Sequence, residues 1–299
     1  MKKIDVVILT DSRYVNPIEI NDYNHNVLLE DKLVQDALEK LDLKVLRLSW
    51  DDATFDWTTT KYALFRTTWD YFARFDEFST WFNETGKLTN FINSEQIIRW
   101  NIDKHYILDL EKKGVHCCPT IFIESEEQIT LEQLHKEHNW KETVLKPVVS
   151  GAARHTYKLN PENLHVHEPL FKELNAKEAF MLQPFQQNIV KNGELSLIII
   201  DGEFTHAVKK IAKKGDFRVQ DDFGGSVHTY KPTTKEIAFA EIAVKACNSK
   251  PIYARVDMFT DNDGQLAIAE LELFEPELWF RNNPKAADKL AVAIKKLFD

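Results

Sequence analysis

The chain has 299 residues, of which 43% are hydrophobic and 28% charged, and its formal net charge is −9. This composition is ordinary for a soluble globular protein and excludes a wholly disordered, collagenous or coiled-coil chain. The excess of acidic residues gives no electrostatic reason to bind nucleic acid or an anionic membrane, so neither is expected as a partner. At about 150 residues per domain, the length predicts two domains or three small ones.

The opening of the chain predicts an α/β unit with a parallel core. Residues 4–10 are β-branched and apolar, which is typical of a buried strand. Apolar residues at helical spacing predict a helix over residues 26–41. Two further strands are expected over residues 44–49 and 62–66, and a second helix over residues 75–85.

The rest of the chain predicts short strands and helices of α+β character. Residues 101–113 are expected to form one helix, with Asn101 as its N-cap. Two hairpins are expected, one turning at Asp201-Gly202 and the other at Asp263-Gly264. The remaining predicted strands are residues 119–123, 143–147, 179–184, 195–200, 204–210, 253–260 and 265–273, and the remaining predicted helices are residues 130–139, 233–246 and 284–297.

Cysteine usage and the N-terminus favour a cytoplasmic location. The three cysteines, Cys117, Cys118 and Cys247, form no CxxC pair, so a disulfide framework is not expected and a reducing compartment fits best. The first apolar run covers only residues 4–9, which is too short for a signal peptide or a membrane span.

Several common catalytic motifs are absent from the sequence. No Walker A loop, GxGxxG after the first strand, GxSxG elbow or HExxH occurs. His135 and His138 lie three apart on a predicted helix, and His165 and His167 alternate in a predicted loop. Neither pair has an obvious third ligand, so these histidines are expected to be solvated rather than to bind zinc.

The last predicted hairpin carries the most telling chemistry. Arg255 and Asp257 lie two apart in one strand, and Glu270 and Glu272 lie two apart in the other. Residues two apart in a strand share a face. If both strands present these residues to the same side, three carboxylates and one guanidinium converge, and three clustered carboxylates repel one another unless a cation lies among them. Hard oxygen ligands suit Mg²⁺.

Simpler explanations exist for each segment taken alone. Acidic residues that alternate with apolar ones are common on a solvated hairpin face. Lys146, at the end of a predicted strand, could extend its ammonium to solvent. Arg218, which precedes the diglycine Gly224-Gly225, could belong to an ordinary loop.

In combination, these segments resemble the ATP-grasp superfamily, and more narrowly the glutathione-synthetase-like ATP-binding domain. The resemblance rests on the order of Lys104, Lys146 with a loop of small residues, a strand that ends in Gln183-Pro184-Phe185, Arg218-x-Gln220 before Gly224-Gly225, Arg255-x-Asp257, and Glu270-x-Glu272 before Pro276. The segments RTTWDY (66–71) and RWNIDK (99–104) are similar to a smaller bacterial branch of the O-ureido-serine cyclo-ligase type.

Two positions depart from the family pattern. Glu272 stands where the family usually has an asparagine metal ligand, so it keeps an oxygen donor and adds a charge. The loop after Lys146 has one glycine, Gly151, beside Ser150, Ala152 and Ala153. With fewer glycines the loop should be less pliant.

The resemblance implies a binding site for ATP and two Mg²⁺ ions, with Mn²⁺ as an alternative metal. The implied metal ligands are Asp257, Glu270 and Glu272. Arg218 and Arg255 are the implied catalytic residues, because they would stabilise the transferred phosphoryl group. The implied ATP-binding residues are Lys104, Lys146, Ser150, Gly151, Gln183, Pro184, Phe185 and Glu194.

The acceptor substrate is expected to lie between the ATP-binding lobes and the first domain. Arg66 suits a carboxylate and Asp70 an ammonium, so an amino-acid-like substrate fits their pairing on one loop. Trp69 is another candidate there, although it could simply pack beneath the loop. The full set of substrate candidates is Asp11, Arg66, Trp69, Asp70, Gln220, Gly224 and Gly225.

The resemblance therefore implies an ATP-grasp fold of three parts: an N-terminal parallel α/β domain over residues 1–92, a central lobe over 93–183, and a C-terminal lobe with the metal site over 184–299. The implied function is an ATP- and Mg²⁺-dependent ligase that joins a small carboxylate to an amine through an acyl phosphate. A kinase of the same fold and a non-catalytic nucleotide-binding protein are the alternatives. The oligomeric state stays open, with a homodimer as one option.

Overall fold

The N-terminal part of the protein is a parallel α/β unit, as the sequence predicts. The computed structural model describes residues 2–219 and 223–298. The strands of the first sheet are β1 (Ile4–Thr10), β2 (Val45–Ser49), β3 (Thr60–Thr67) and β4 (Asn90–Ile92). They are all parallel, in the order β2-β1-β3-β4. Helices α1 (Asp22–Glu39) and α2 (Phe75–Thr85) belong to this unit.

A second, antiparallel sheet forms the central part of the chain. Its strands are β5 (Ile121–Ile123), β6 (Thr143–Pro147), β7 (Tyr157–Leu159) and β8 (Phe180–Pro184), in the order β5-β8-β6-β7. Helices α5 (Leu131–His138) and α6 (Leu164–Asn175) contribute to its apolar core. Thr130 starts α5 with a capping box, in which its hydroxyl accepts from the backbone of Gln133 and the Gln133 side chain accepts from the backbone of Thr130.

The third sheet is antiparallel and holds both predicted hairpins. Its strands are β9 (Glu194–Ile200), β10 (Glu203–Ile211), β11 (Ser226–Tyr230), β12 (Tyr253–Thr260) and β13 (Leu266–Glu272). Their order is β11-β10-β9-β12-β13. Strand β9 is central, which explains why it is apolar on both faces. The helices that accompany this sheet are α7 (Gln187–Asn192), α8 (Thr234–Lys245) and the C-terminal α9 (Pro284–Lys295).

The first and third sheets are joined by one apolar core. Ile8 of β1 and Ile200 of β9 belong to the same buried cluster as Leu38 of α1 and Leu290 of α9. Tyr253 of β12 is fully buried there and donates its hydroxyl to the Phe274 carbonyl at 2.7 Å. The second sheet has a separate core, so it forms a lobe of its own beside this larger body.

The prediction of a single helix over residues 101–113 is wrong. The structure has two short helices, α3 (Glu95–Asn101) and α4 (Tyr106–Lys112), and Asn101 ends the first of them instead of capping the second. The Asn101 side chain forms hydrogen bonds to the backbone at the end of β13 instead. It donates to the Leu271 carbonyl and accepts from the Leu273 amide, both at 2.7 Å. Lys104 therefore lies in the break between two helices, and its amide donates to the Val148 carbonyl at 3.1 Å.

The histidine expectations also need correction. His165 and His167 lie in α6, a helix that the sequence pattern hides because Pro169 lies inside it. His135 is buried rather than solvated, and its Nε2 lies 2.8 Å from the Thr143 hydroxyl. Burial lowers the pKa of His135, so it is a neutral core residue.

The strands that the sequence analysis missed are short or exposed. Strands β4 and β7 each have three residues, too few for a periodic pattern to show. Strand β11 is exposed along most of its length at the edge of its sheet. Within the described residues, no helix is both long and apolar enough to cross a membrane.

Replacing Asn93 by alanine should lower the free energy of unfolding by about 3 kcal/mol, because it leaves three buried backbone groups without a partner. The Asn93 amide donates to the carbonyls of Tyr253 (2.9 Å) and Leu273 (2.8 Å), and its oxygen accepts from the Ile252 amide at 2.6 Å. Urea denaturation measures the change. The exposed Asn90→Ala is the control, and equal stabilities of the two variants would contradict the prediction.

Candidate active site

A large cavity of about 650 Å³ lies where the three sheets meet. The loops that follow β1 and β3 form one wall, and the break between α3 and α4 forms another. The loop over residues 148–156 and the end of β8 close it from the side of the central lobe. Strands β9, β10, β12 and β13 form its floor. A cavity enclosed by several layers of the fold is the usual place for a ligand.

The predicted acidic hairpin presents its four charged residues to this cavity. In the pairing of β12 with β13, Arg255 lies opposite Glu272, and Asp257 lies opposite Glu270. Directly opposed residues of an antiparallel pair project to the same face. All four side chains line the cavity, so the structure brings together the implied metal ligands and one implied catalytic arginine.

Asp257 is held by two cations and a hydroxyl. Arg255 contacts both of its carboxylate oxygens, at 3.0 Å from Nε and 2.8 Å from Nη2. Lys210 donates to Oδ2 at 3.0 Å, and Ser196 donates to Oδ1 at 2.5 Å. Burial raises the pKa of Asp257, but Arg255 and Lys210 outweigh burial and the net shift is downward. Asp257 is therefore ionised across the physiological range of pH.

Lys210 also pairs with Glu194, so one ammonium serves two buried carboxylates. The Lys210 Nζ lies 2.5 Å from Glu194 Oε1, and both side chains are almost completely buried. Glu194 had been expected to bind ATP; the structure places it in the cavity lining as a partner of Lys210. Burial raises the pKa of Glu194 more than Lys210 lowers it.

The other two carboxylates of the hairpin have different partners. Glu270 pairs with Lys104 at 3.0 Å, and Glu272 pairs with Arg255. The pKa of Glu270 is raised by burial but lowered on balance by Lys104 and Lys146. The pKa of Glu272 rises to about 7, first through burial and then through the charges of Glu270 and Asp257.

Glu275 adds a further acidic group to the same wall. Burial, together with the charge of Glu272, raises its pKa to about 8. Glu272 and Glu275 therefore take up protons near neutral pH, whereas Asp257 and Glu270 stay ionised beside their cations. Among residues 2–219 and 223–298, no group of three histidine, cysteine or acidic side chains is gathered closely enough to hold a metal ion. Arg255 lies between Asp257 and Glu272 and pairs with both.

The opposite end of the cavity is an apolar slot between the second and third sheets. Its walls include Val144, Ile189, Phe259 and Ala269. Of the residues expected to bind ATP, Lys146, Gln183, Pro184 and Phe185 line this end. Phe185 also packs edge-on against Phe217, with ring centroids 6.1 Å apart. An apolar slot of this kind, with strand residues along it, suits an apolar heterocycle.

The loop after Lys146 covers the cavity between this slot and the acidic hairpin. We refer to residues 148–155 as the phosphate loop. Lys104 donates to the Ser150 carbonyl at 2.7 Å, which fixes the start of this loop. Arg154 pairs with Glu178 and donates to the Val149 carbonyl at 3.1 Å. Ser150 and Gly151 both line the cavity, as the sequence analysis expects for residues that contact ATP.

The structure places Arg66 away from the cavity. Its side chain is fully buried and its Nη2 lies 3.2 Å from Glu30 in the core beneath α1. Glu30 in turn accepts from the amides of Leu278 and Phe280. A place near the end of a strand makes Arg66 look available to a substrate carboxylate, but the ion pair with buried Glu30 holds its side chain in the core.

Arg13 supplies the guanidinium that Arg66 does not. Asp11 is fully buried at the end of β1 and pairs with Arg13 at 2.6 Å, whereas the Arg13 side chain is 59% exposed and lines the cavity. Asp11 thus supports a neighbour and does not itself line the cavity. Trp69 and Asp70 do line it, and Asp70 accepts from Trp50 at 2.8 Å and from Arg74 at 2.9 Å.

Three aromatic rings narrow the cavity next to Arg13. The ring of Trp69 lies 6.1 Å from that of Tyr14 and 6.4 Å from that of Tyr23, measured between centroids. The Trp69 indole donates to the Glu275 carbonyl at 2.9 Å, which ties this aromatic wall to the acidic corner. The end of the cavity beside Arg13 therefore offers aromatic surface together with both signs of charge.

Arg218 lines the cavity from the loop that follows β10. Its Nη2 lies 2.8 Å from Asp216, which holds the pKa of that carboxylate well below its usual range. Gln220 lies outside the described residues. Gly224 and Gly225 are not among the residues that line the cavity. Gly224 has a φ of +80° and lies beside the Lys213 side chain.

Sequence reasoning missed Lys210, Arg13, Tyr23 and Glu275. Lys210 had a readable signal, because the hairpin turn at Asp201-Gly202 places it opposite Glu194 in the register of β9 and β10. Arg13 lies in a 3-10 turn after β1 and Tyr23 lies in the first turn of α1, and no local pattern indicates that both line the cavity beside Trp69.

Comparison with known proteins gives two matches that together cover most of the chain. The model of the prokaryotic glutathione synthetase ATP-grasp domain matches residues 104–261. The N-terminal domain of D-cycloserine synthetase DcsG matches residues 6–93. The cycloserine biosynthesis protein DcsG of Streptomyces lavendulae is 25% identical over 279 residues, a match that spans 82% of this chain and 86% of the relative.

Solved structures share the fold over nearly the full length. The crystal structure of D-cycloserine synthetase DcsG has a TM-score of 0.86 at 22% identity and covers 98% of this chain and 99% of its own. D-alanine–D-alanine ligase from Bacillus anthracis, complexed with ATP, has a TM-score of 0.65 at 14% identity, covering 98% and 96%. The ATP-grasp ligase PsnB, complexed with a minimal precursor, Mg and ADP, has a TM-score of 0.61 at 14% identity, covering 98% and 99%.

Replacing Lys210 by methionine should lower the free energy of unfolding by about 3 kcal/mol, because Glu194 and Asp257 lose the ammonium that they share. Urea denaturation at neutral pH measures the loss. Lys209→Met, on the same strand but half-exposed, is the matched control. If both variants unfold at the same urea concentration, the buried lysine does not hold the two carboxylates in place.

Proposed function

This chain belongs to the ATP-grasp family of the prokaryotic glutathione synthetase type, and we propose that it is an ATP-dependent ligase that joins a carboxylate to an amine nitrogen. One observation carries the proposal: a single cavity combines an apolar slot, six lysines and arginines, and three carboxylates on one hairpin face. An ATP molecule needs all three surfaces, for its base, its phosphates and the metal that accompanies them.

ATP fits the cavity with its adenine in the slot that includes Phe185 and Gln183. Its α- and β-phosphates would then lie near Lys104 and Lys146, beneath the phosphate loop. Arg218 and Arg255 would face the γ-phosphoryl group, and Lys210 joins them from the cavity floor. Cations in these positions neutralise the charge of the transferring group, which is the main demand that phosphoryl transfer makes on a protein.

Asp257, Glu270 and Glu272 would be the ligands of two Mg²⁺ ions. Carboxylate oxygens are the donors that Mg²⁺ prefers, and a bound cation would lower the pKa of Glu272, which burial and the charges of Glu270 and Asp257 raise. A divalent metal bound there supplies charge neutralisation for the phosphate oxygens. Arg255 now occupies the space between Asp257 and Glu272, so metal binding requires it to turn toward the phosphates.

The reaction then proceeds in two steps. A carboxylate oxygen of the acceptor attacks the γ-phosphorus of ATP, which gives an acyl phosphate and ADP. An amine nitrogen attacks the acyl carbon, phosphate leaves, and an amide-type bond remains. The acceptor would lie between Arg255 and the wall formed by Arg13, Trp69 and Asp70, whose two signs of charge suit an amino-acid-like molecule.

We also propose domain bounds, partners and a location for this ligase. We divide the chain into an N-terminal domain over residues 1–92, a central lobe over 93–183 and a C-terminal lobe over 184–299. The partners would be a small carboxylate and an amine, which are separate molecules or two groups of one. Three free, buried cysteines support the reducing cytoplasm as the location.

Adenine nucleotides should raise the melting temperature, and Mg²⁺ should increase that shift. At a nucleotide concentration one hundred times the dissociation constant, the native state gains about 2.7 kcal/mol. A thermal-shift titration with ATP and ADP, with and without Mg²⁺, measures it, and GTP and NAD⁺ serve as controls. No shift at millimolar adenine nucleotide would overturn the assignment of the cavity to ATP.

Glu270→Gln should reduce turnover about 100-fold while the fold stays intact, because the substitution removes one charged metal ligand. ATP-dependent phosphate release, screened over amino acids and O-ureido-serine as acceptors, measures turnover. The exposed Glu203→Gln is the control. Full activity of Glu270→Gln would refute the metal assignment, and a stable phosphorylated product in place of free phosphate would indicate a kinase.

A further inference from the structure

The phosphate loop meets the N-terminal domain at one point of very close approach. A Cβ atom built on Gly151 would lie 2.7 Å from Cε1 and 2.9 Å from Cδ1 of Phe72. Real Cβ atoms essentially never come this close to another heavy atom. Gly151 is not among the residues with positive φ, so space rather than backbone conformation restricts this position to glycine.

Phe72 packs against the aromatic core of the N-terminal domain and belongs to the acceptor loop, by which we mean residues 68–74. Its ring packs edge-on against Tyr71, with centroids 5.4 Å apart. Tyr71 is buried and packs edge-on against Phe274 at 4.9 Å. The same loop carries Trp69 and Asp70 into the acceptor end of the cavity. A displacement of this loop would therefore move the Phe72 ring together with the residues that face the acceptor.

The phosphate loop depends on outside contacts for its conformation. Ala152, Ala153 and His155 have φ values of +47°, +52° and +49°, in the left-handed region that is unfavourable for a non-glycine residue. Such a conformation persists only where the surroundings impose it. Lys104 imposes it at the Ser150 carbonyl, and Phe72 is the contact on the side of the N-terminal domain.

We propose that Phe72 is a positioning residue that seats the phosphate loop through Gly151 and so couples the ATP site to the acceptor site. The inference rests on the proposed function, which assigns this loop to the phosphates. When the loop is seated, it covers the phosphates and excludes the water that would hydrolyse an acyl phosphate. Movement of the acceptor loop would unseat it, because the two loops touch at the Phe72 ring.

The test is a double-mutant cycle that uses Mg·ADP and ATP as probes and needs no acceptor. Gly151→Ala should weaken the affinity for Mg·ADP about tenfold, because its methyl group clashes with the Phe72 ring and displaces the loop. In the Phe72→Ala background the space is open, so adding Gly151→Ala should change the affinity less than about threefold. A fluorescent N-methylanthraniloyl ADP measures the affinity, and phosphate release from ATP measures the loss of water exclusion.

Two variants outside the cavity serve as matched controls. Phe55→Ala removes an aromatic ring of the same domain that packs on Trp57 at 4.9 Å. Gly86→Ala introduces a Cβ at 3.0 Å from the Glu95 carboxylate and 3.1 Å from the Phe82 carbonyl, a similar crowding elsewhere. Both should lower the melting temperature and leave the Mg·ADP affinity unchanged. Phe72→Leu, which keeps apolar volume without a ring, replaces Phe72→Ala in the cycle if that variant does not fold.

The outcomes separate this inference from the proposed function. Failure of the unaltered protein to bind Mg·ADP would overturn the proposed function and this inference with it. The inference alone would be overturned if the unaltered protein binds Mg·ADP but Gly151→Ala weakens the affinity equally with Phe72 present and with Phe72 truncated. A penalty that Phe72 truncation relieves would support the coupling, because a merely structural role of Gly151 gives no such rescue.

Discussion

The pairing of Asp257 with Arg255 and Lys210 is the interaction on which the rest of the site depends. A buried carboxylate is costly unless cations and hydrogen bonds compensate it, and here Ser196 completes the set. These partners lie on three adjacent strands, β9, β10 and β12, so the charge network also fixes the register of the floor. The acidic hairpin can face a cavity only because that register holds.

The ligands that the site is proposed to bind explain why so much charge is concentrated in one cavity. In the structure the carboxylates are neutralised by the protein's own cations, Glu270 by Lys104 and Glu272 by Arg255. ATP and Mg²⁺ would replace these internal ion pairs with stronger ones. The phosphates would pair with the cations, and the metal would bind the carboxylates. The same residues would thereby stabilise the protein without ligand and bind the ligand when it arrives.

Much of the fold could be predicted because its signals are local. The buried strand β1, the hairpin turn at Asp201-Gly202 and the capped helix α5 each follow from a few neighbouring residues. The predictions failed where a distant partner decides the local structure. Asn101 ends a helix because its side chain bonds to β13, some 170 residues away, and α6 is hidden by the proline inside it.

By itself, the sequence determined which residues share the face of the last hairpin, because alternation along a strand is a property of neighbouring residues. It also determined the ordered set of lysines, arginines and carboxylates that identifies the family. Only the tertiary structure decided that Arg66 is buried against Glu30 while Arg13 faces the cavity, and that Gly151 meets Phe72. The physical reason is that these contacts join segments far apart in the chain, and packing across the whole fold sets which side chains reach one another.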